Sequence, residues 1–285
     1  MLVVCLAMAA EKAAPRPIRY GKPKVIATLS CPQIDESSGL TRSRRNPGVF
    51  WTHNDSGDDA RVFALDEKGR HLGTYAIVGA RNRDWEEIAS VSLDGKHFLL
   101  ICDAGDNNRK RPFVTLYLAP EPAVDPNRPI KAGKLQVVQT IHFTYDDGPQ
   151  DCESVAVDSA SRTIYLVSKR GHRTVYRLAL PTRAVSRKLV AKTVAELDIA
   201  AAVAMDISAD GRRAVILTYG PAYEYCRGPG ETWAMAFRRP GRKLSMPGRR
   251  QGESICYGRD DRTLYLTSEK RPTPLLRVPA APAGK

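Results

Sequence analysis

The sequence predicts an all-β fold: a β-propeller of five visible four-stranded repeats, closed by pairing of its N- and C-terminal strands, with a sixth blade left open by the longest repeat. Three observations carry this expectation. A short signature recurs along the chain, as "ESSGL" at 36, "EEIAS" at 86, "ESVAV" at 153, "MDISA" at 205 and "ESICY" at 253. Each copy is followed by strand-like runs bounded by turn residues. The last repeat lacks a fourth run, and the N-terminus has a spare one, "KVIATLS".

Each repeat can be taken in order. The second runs are "GVFWTHND", "HFLLICDAG", "TIYLVSKR", "RAVILTYG" and "RTLYLTSEK", dense in β-branched and aromatic residues. The turns before them are polar, as in "LDGK", "SADGRR" and "GRDDR". The third runs are "RVFALD", "VTLYLAP", "TVYRLAL", "TWAMAF" and "PLLRVPA"; the fourth are "HLGTYAIVG", "LQVVQTIHF", "KLVAKTVAEL" and, weakly, "KLSMPG". Only residues 193–205 read as helix-like. Pairing the chain ends removes the sheet edges that invite aggregation.

Composition fits a globular chain: 285 residues, 42% hydrophobic and 26% charged. No apolar run approaches the roughly 20 residues needed to cross a bilayer. Residues 1–10 read as the apolar part of a secretory leader, 11–23 as a linker and 24–285 as one propeller domain, so the chain is expected to be exported and monomeric. Beyond the leader remain Cys31, Cys102, Cys152, Cys226 and Cys256, with no C-x-x-C spacing, which disfavours a zinc ribbon or a thioredoxin-type site. The net charge of +13 is spread along the chain without aromatic interleaving, so no nucleic-acid partner is expected.

Acids nevertheless gather at particular turns of this basic chain. Inner strands of a propeller project equivalent residues toward one axis, so Glu36, Glu86, Glu153 and Glu253 are expected to form a carboxylate ring at one mouth, with Met205 in the fourth repeat. Asp55, Asp103, Lys169, Tyr219 and Glu269 align at the ends of the second strands and are expected away from that ring. The turns "NDSGD" and "DAGDNN" offer Asn54, Asp55, Asp58, Asp103, Asp106 and Asn107, oxygen donors of the kind hard cations take. The same residue types also serve tight turns for backbone reasons alone. The candidate metal ligands are thus Asp55, Asp58, Asp103, Asp106, Asn107, Glu36 and Glu253, for Ca2+ or another divalent cation. Glu86, Glu153 and His53 are the catalytic candidates. Lys169, Arg170, Tyr219 and Glu269 break the repeat symmetry and are the candidates for holding substrate.

At these residues the sequence resembles a family of bacterial exported propellers of unsettled activity, whose motifs here read Trp51 to Asp58, Asp84 to Ala89, Asp103 to Asn107, Glu153 to Asp158, Asp206 to Gly211 and Gln251 to Ile255. That family is more distantly similar to esterase-like phytase and TolB-like propellers, a group with calcium-dependent phosphoesterases and lactonases whose metals sit at the channel mouth. The resemblance implies a metal-assisted hydrolase of a phosphoester or lactone. The alternative is a non-catalytic propeller that binds a protein, glycan or cell-envelope partner. Cys102 and Cys152 depart from the family pattern at the ends of neighbouring strands, where a disulfide between them is one expectation.

Overall fold

A computed structural model describes residues 15–281. The expected leader, residues 1–10, lies outside them. The first strand, β1 (Lys24–Thr28), belongs to the last blade. Blade 1 is β2 (Ser37–Arg42), β3 (Val49–Asn54), β4 (Arg61–Asp66) and β5 (His71–Val78). Blade 2 begins with β6 (Trp85–Leu93), β7 (Lys96–Asp103) and β8 (Val114–Pro120). The chain then makes β9 (Ala132–Gln136), which lies parallel to β5 on the outer edge of blade 1, and returns as β10 (Gln139–Tyr145) to complete blade 2. Blade 3 is β11 (Cys152–Asp158), β12 (Thr163–Ser168), β13 (Thr174–Ala179) and β14 (Leu189–Glu196). Blade 4 is β15 (Ala202–Ile207), β16 (Arg213–Thr218), β17 (Ala222–Cys226) and, after the short helix α1 (Trp233–Ala236), β18 (Arg242–Leu244). Blade 5 is β19 (Ser254–Tyr257), β20 (Leu264–Thr267), β21 (Pro274–Val278) and β1, which pairs antiparallel with β21.

The inner strands β2, β6, β11, β15 and β19 neighbour one another in a closed cycle that returns from β19 to β2. The ring therefore has five blades, closed by the chain ends as the sequence predicts. The long second repeat spends its extra residues on β9 and its connections rather than on a sixth blade. β10 and β14 also pair in parallel, fusing blades 2 and 3 into one eight-stranded sheet.

Period-2 alternation explains why the middle strands read as nearly continuous apolar runs. Each has neighbours on both faces, and successive side chains enter opposite clusters. In β7, Leu99 and Ile101 join the cluster between blades 1 and 2, while Leu100 and Cys102 join that between blades 2 and 3. In β16, Ala214 and Ile216 face blade 3, while Val215 and Leu217 face blade 5. Each such Leu or Ile contributes about 1.5–3 kcal/mol when buried.

Three expectations differ. "TWAMAF" is not the third strand of blade 4 but α1, capped by the Thr232 hydroxyl, which accepts the Met235 N–H; Trp233 and Phe237 stack at 5.5 Å beneath it. The helix-like run 193–205 is the end of β14, a turn and the start of β15. Residues 16–21 dock on the propeller, with the Tyr20 hydroxyl donating to Glu224 at 2.8 Å and the Gly21 N–H to the Pro279 carbonyl at 2.8 Å. Cys102 and Cys152 are both buried free thiols, so no disulfide joins them. No helix among the described residues is long and apolar enough to cross a membrane.

Candidate metal and catalytic site at the acidic mouth

A bulge near the start of four of the five inner hairpins builds this mouth. Register slips between Ser37 and Gly39, Trp85 and Glu87, Cys152 and Ser154, and Ala202 and Ala204. The extra, unpaired residues are Ser38, Glu86, Glu153 and Val203. In blade 5, Ser254 pairs with Thr267, which puts Glu253 in the same place. A bulge re-aims the side chain it carries. The glutamate row is thus Glu86, Glu153 and Glu253, with Ser38 and Val203 in the other two blades. Glu36 and Met205 are each two residues out of register with it. Glu36 is exposed at the rim, in a row with Asp84 and Asp151.

The second-strand ends meet the glutamates rather than standing apart from them. In an antiparallel hairpin the end of the second strand lies beside the start of the first. The amides of Asp55, Gly105, Lys169 and Glu269 donate to the carbonyls of Glu36, Asp84, Asp151 and Gln251 at 2.8–3.2 Å. Asp55, Lys169 and Glu269 are therefore equivalent, and blade 2 has Gly105 where they stand. Asp103 pairs opposite Trp85, below that level. A Cβ at Gly105 would sit 2.1 Å from the Glu86 Oε1 and 2.5 Å from the Asp84 carboxyl, so the glycine is demanded by close approach.

Two carboxylate groups result. Asp55, Asp84 and Glu86 each bring an oxygen within 4.8 Å of the others, and so do Glu86, Asp151 and Glu153. Glu86 belongs to both. Asp151 and Glu153 each keep one buried oxygen without a hydrogen-bond partner. The other Asp151 oxygen accepts the Asp106 N–H at 3.1 Å. Asp84 and Asp151 were not singled out from the sequence. The signal was present as "DWE" and "DCE", since residues two apart on a strand share a face.

One ammonium faces these acids from inside the mouth. Lys169 contacts Glu153 directly, lies 3.9 Å from Glu253 and sits 5.3 Å from the centre of the Tyr219 ring. The Tyr219 hydroxyl donates to Glu253. Gln251 Nε2 donates to Glu269 at 2.9 Å. Arg170 is half-exposed at the rim, 3.6 Å from Asp151 and donating to Asn107 at 2.9 Å.

Burial and mutual repulsion raise the acids. Asp84 is pushed up to about 6, by burial and then by the Asp55 charge. Glu269 is pushed up to about 9, by burial and then by its hydrogen bond to Glu253. Glu86 is raised well above the carboxylate range, by burial and then by Glu153, Asp55 and Asp84. Glu153 is pushed up by burial and pulled back by the Lys169 ammonium. Lys169 is pulled down by burial, and its contact with Glu153 more than offsets this, so it is raised. We take the Lys169–Glu153 pair as ionised. Among the described residues Glu86 forms no ion pair, and burial favours its protonated form.

The remaining candidates are engaged elsewhere. Asp58 receives both Arg61 Nε, at 3.0 Å, and Arg61 Nη2, at 2.5 Å, together with Asn54 Nδ2 at 2.9 Å. Asp103 pairs with Arg111 at 2.7 Å, and Asp106 accepts the Arg111 N–H at 2.7 Å. His53 is fully buried against Trp85, and burial pulls its imidazole down to about 4, so it is neutral. His172 lies out on the surface beside Glu196. Below the mouth, the buried Glu87 crosses the channel and accepts the Met205 N–H of blade 4 at 3.2 Å. The other four blades carry Gly39, Ser154, Ala204 and Ser254 at its position, so Glu87 alone crosses from that level.

No protein-family model and no curated protein matches the chain. Solved structures are similar to the chain at low identity. A gluconolactonase from Xanthomonas campestris is 12% identical, with a TM-score of 0.47 over 82% of this chain and 69% of that one. A Bacteroides uniformis protein named as a 6-phosphogluconolactonase is 12% identical, with a TM-score of 0.43 over 87% and 69%. Hydrazine synthase of Kuenenia stuttgartiensis is 14% identical, with a TM-score of 0.40 over 82% and 56%. The motif-based family likeness thus remains a resemblance, and what the molecule can do is read from its own mouth.

Proposed function

We propose that the acidic mouth binds a divalent cation and that the site hydrolyses a lactone or phosphoester. The observation that carries this reading is Glu86, shared by two carboxylate groups. Asp55, Asp84 and Glu86 form one half of the ligand set, Asp151 and Glu153 the other. Their oxygens are the donors that Ca2+, Mg2+ or Mn2+ take, and the orphaned oxygens of Asp151 and Glu153 are what a cation would satisfy. A bound cation would polarise the carbonyl or phosphoryl oxygen under attack.

The chain's own groups divide the remaining work. Lys169 and Tyr219 hold an anionic oxygen of the substrate at the inner edge of the mouth, with Arg170 at its rim. Glu269, protonated near neutral pH, gives its proton to the leaving oxygen. Asp84, ionised above about 6, accepts a proton from the attacking water. His53, neutral and sealed in the blade, supports the wall rather than the chemistry. The same reading has the chain exported, on the strength of its apolar first ten residues.

A panel of δ-lactones, γ-lactones and aryl phosphates, assayed with Ca2+, Mg2+ or Mn2+, tests the reading. Turnover that falls at least a hundredfold in Glu269→Gln while metal binding persists supports it. A metal-loaded chain that turns over nothing in the panel contradicts the hydrolase and leaves a binding module.

A further inference from the structure

The opposite mouth has the opposite character. There β2 ends in Arg42, and Arg44 follows two residues on. A cavity of about 310 Å³ opens between them and the turns that join β11 to β12 and β15 to β16, lined by Asp158, Ser159, Ser208 and Asp210. Arg44 spans the channel, with Nε donating to the Ser90 carbonyl of blade 2 and Nη2 to the Ile207 carbonyl of blade 4, both at 3.2 Å. Among the described residues Arg42 donates to the Ser43 carbonyl at 3.3 Å, and its buried Nε has no partner.

Among the described residues, no ion pair joins Arg42 or Arg44 to a carboxylate. Of the acids of the cavity wall, Asp158 pairs with Arg227 at 2.7 Å and accepts the Ser161 hydroxyl at 2.9 Å, while Asp210 accepts the Ser208 hydroxyl at 2.6 Å. Asp206 and Asp261 lie near enough for their charges to favour the Arg42 guanidinium, but neither forms an ion pair with it; each accepts a backbone amide, of Tyr257 at 2.8 Å and Ala209 at 2.7 Å. Burial, and then repulsion by Arg44, pull the Arg42 pKa down. Two partly desolvated guanidiniums side by side call for an anion, and the arginine fork matches a tetrahedral oxyanion.

We propose that this mouth is an oxyanion site that takes a phosphate group between Arg42 and Arg44. Its geometry owes nothing to the acidic mouth at the other end. The cavity is roomier than a bare phosphate needs, so a small phosphate monoester is the expected ligand class.

The test is calorimetric titration of the full chain with inorganic phosphate and, separately, with glycerol 3-phosphate. The wild type is expected to give a saturable one-to-one isotherm in at least one arm, and the tighter arm identifies free phosphate or an organic ester as the source. Arg42→Gln is expected to weaken binding tenfold or more. Arg42→Lys keeps the charge, loses the fork and is expected to weaken it several-fold, which covers failure of the first variant to fold. Glu86→Gln should leave this binding unchanged, separating it from the hydrolase reading. No saturable binding, or wild-type affinity in a folded Arg42 variant, would overturn the proposal and mark any heat as diffuse attraction to a chain of net charge +13.

Discussion

Lys169, at the end of the second strand of blade 3, pairs with Glu153 at the start of the first, and the same ammonium stands 3.9 Å from Glu253 of blade 5. One residue thus ties two blades together across an acidic mouth. Removing one partner of a buried pair leaves an uncompensated charge. Lys169→Met should therefore cost about 3 kcal/mol in urea unfolding of the metal-free chain. Saturating divalent cation should recover part of that loss, because it replaces the missing positive charge. A cost that is the same with and without cation would place Lys169 outside the site.

The raised acids make a signed prediction for pH. Glu269 rises from 4.5 to about 9 and Asp84 from 3.8 to about 6 on folding. The folded state holds those protons more tightly than the unfolded chain does. Their contribution is fully present below about pH 4 and is lost as pH climbs through 6 and then 9. Melting of the metal-free chain should fall from pH 5 to pH 9, and Glu269→Gln should flatten the upper part of that decline. Cation binding needs the ionised carboxylates, so the cation-induced shift should grow over the same range.

Gly105 sets how closely blade 2 approaches the acids. Gly105→Ala drives a methyl into Glu86 and Asp84 and should cost about 1–3 kcal/mol. It should also abolish the cation response, read by melting with and without chelator. A stable variant that keeps the response would show that the carboxylates give way without losing the ion.

Asp58 separates turn from ligand. Its oxygens are taken by Arg61 and Asn54, so Asp58→Ala should lose about 1–2 kcal/mol of stability while leaving the cation response intact. Loss of the response would restore Asp58 to the ligand set.

The five-blade ring was legible because its strands are buried on both faces and its turns are polar: β7 and β16 announce themselves by composition alone. The mouth was less so. The bulges at Ser38, Glu86 and Glu153 leave no mark in composition, and blade 1 carries a serine at that position, so Glu36, two residues earlier, aligned with residues it does not accompany. The meeting of Lys169 with Glu153 follows from antiparallel pairing and could have been drawn from the hairpins. "TWAMAF" carries the apolar density of a strand, and only the Thr232 cap and the packing of Trp233 make it a turn of helix. Asp84 and Asp151 were readable in the repeated acid-x-Glu spacing. Their convergence on one Glu86 depends on blade geometry that the sequence does not spell out.

The most direct measurement is thermal unfolding of the chain in EDTA and then with Ca2+, Mg2+ or Mn2+, beside Glu86→Gln. A cation at a hundred times its Kd adds about 2.7 kcal/mol, which for a domain of this size is a rise of about 5 °C in Tm. The expected result is such a rise for at least one cation, lost in Glu86→Gln and kept in Asp58→Ala. No rise with any of the three, or a rise that survives Glu86→Gln, would contradict a cation at the acidic mouth.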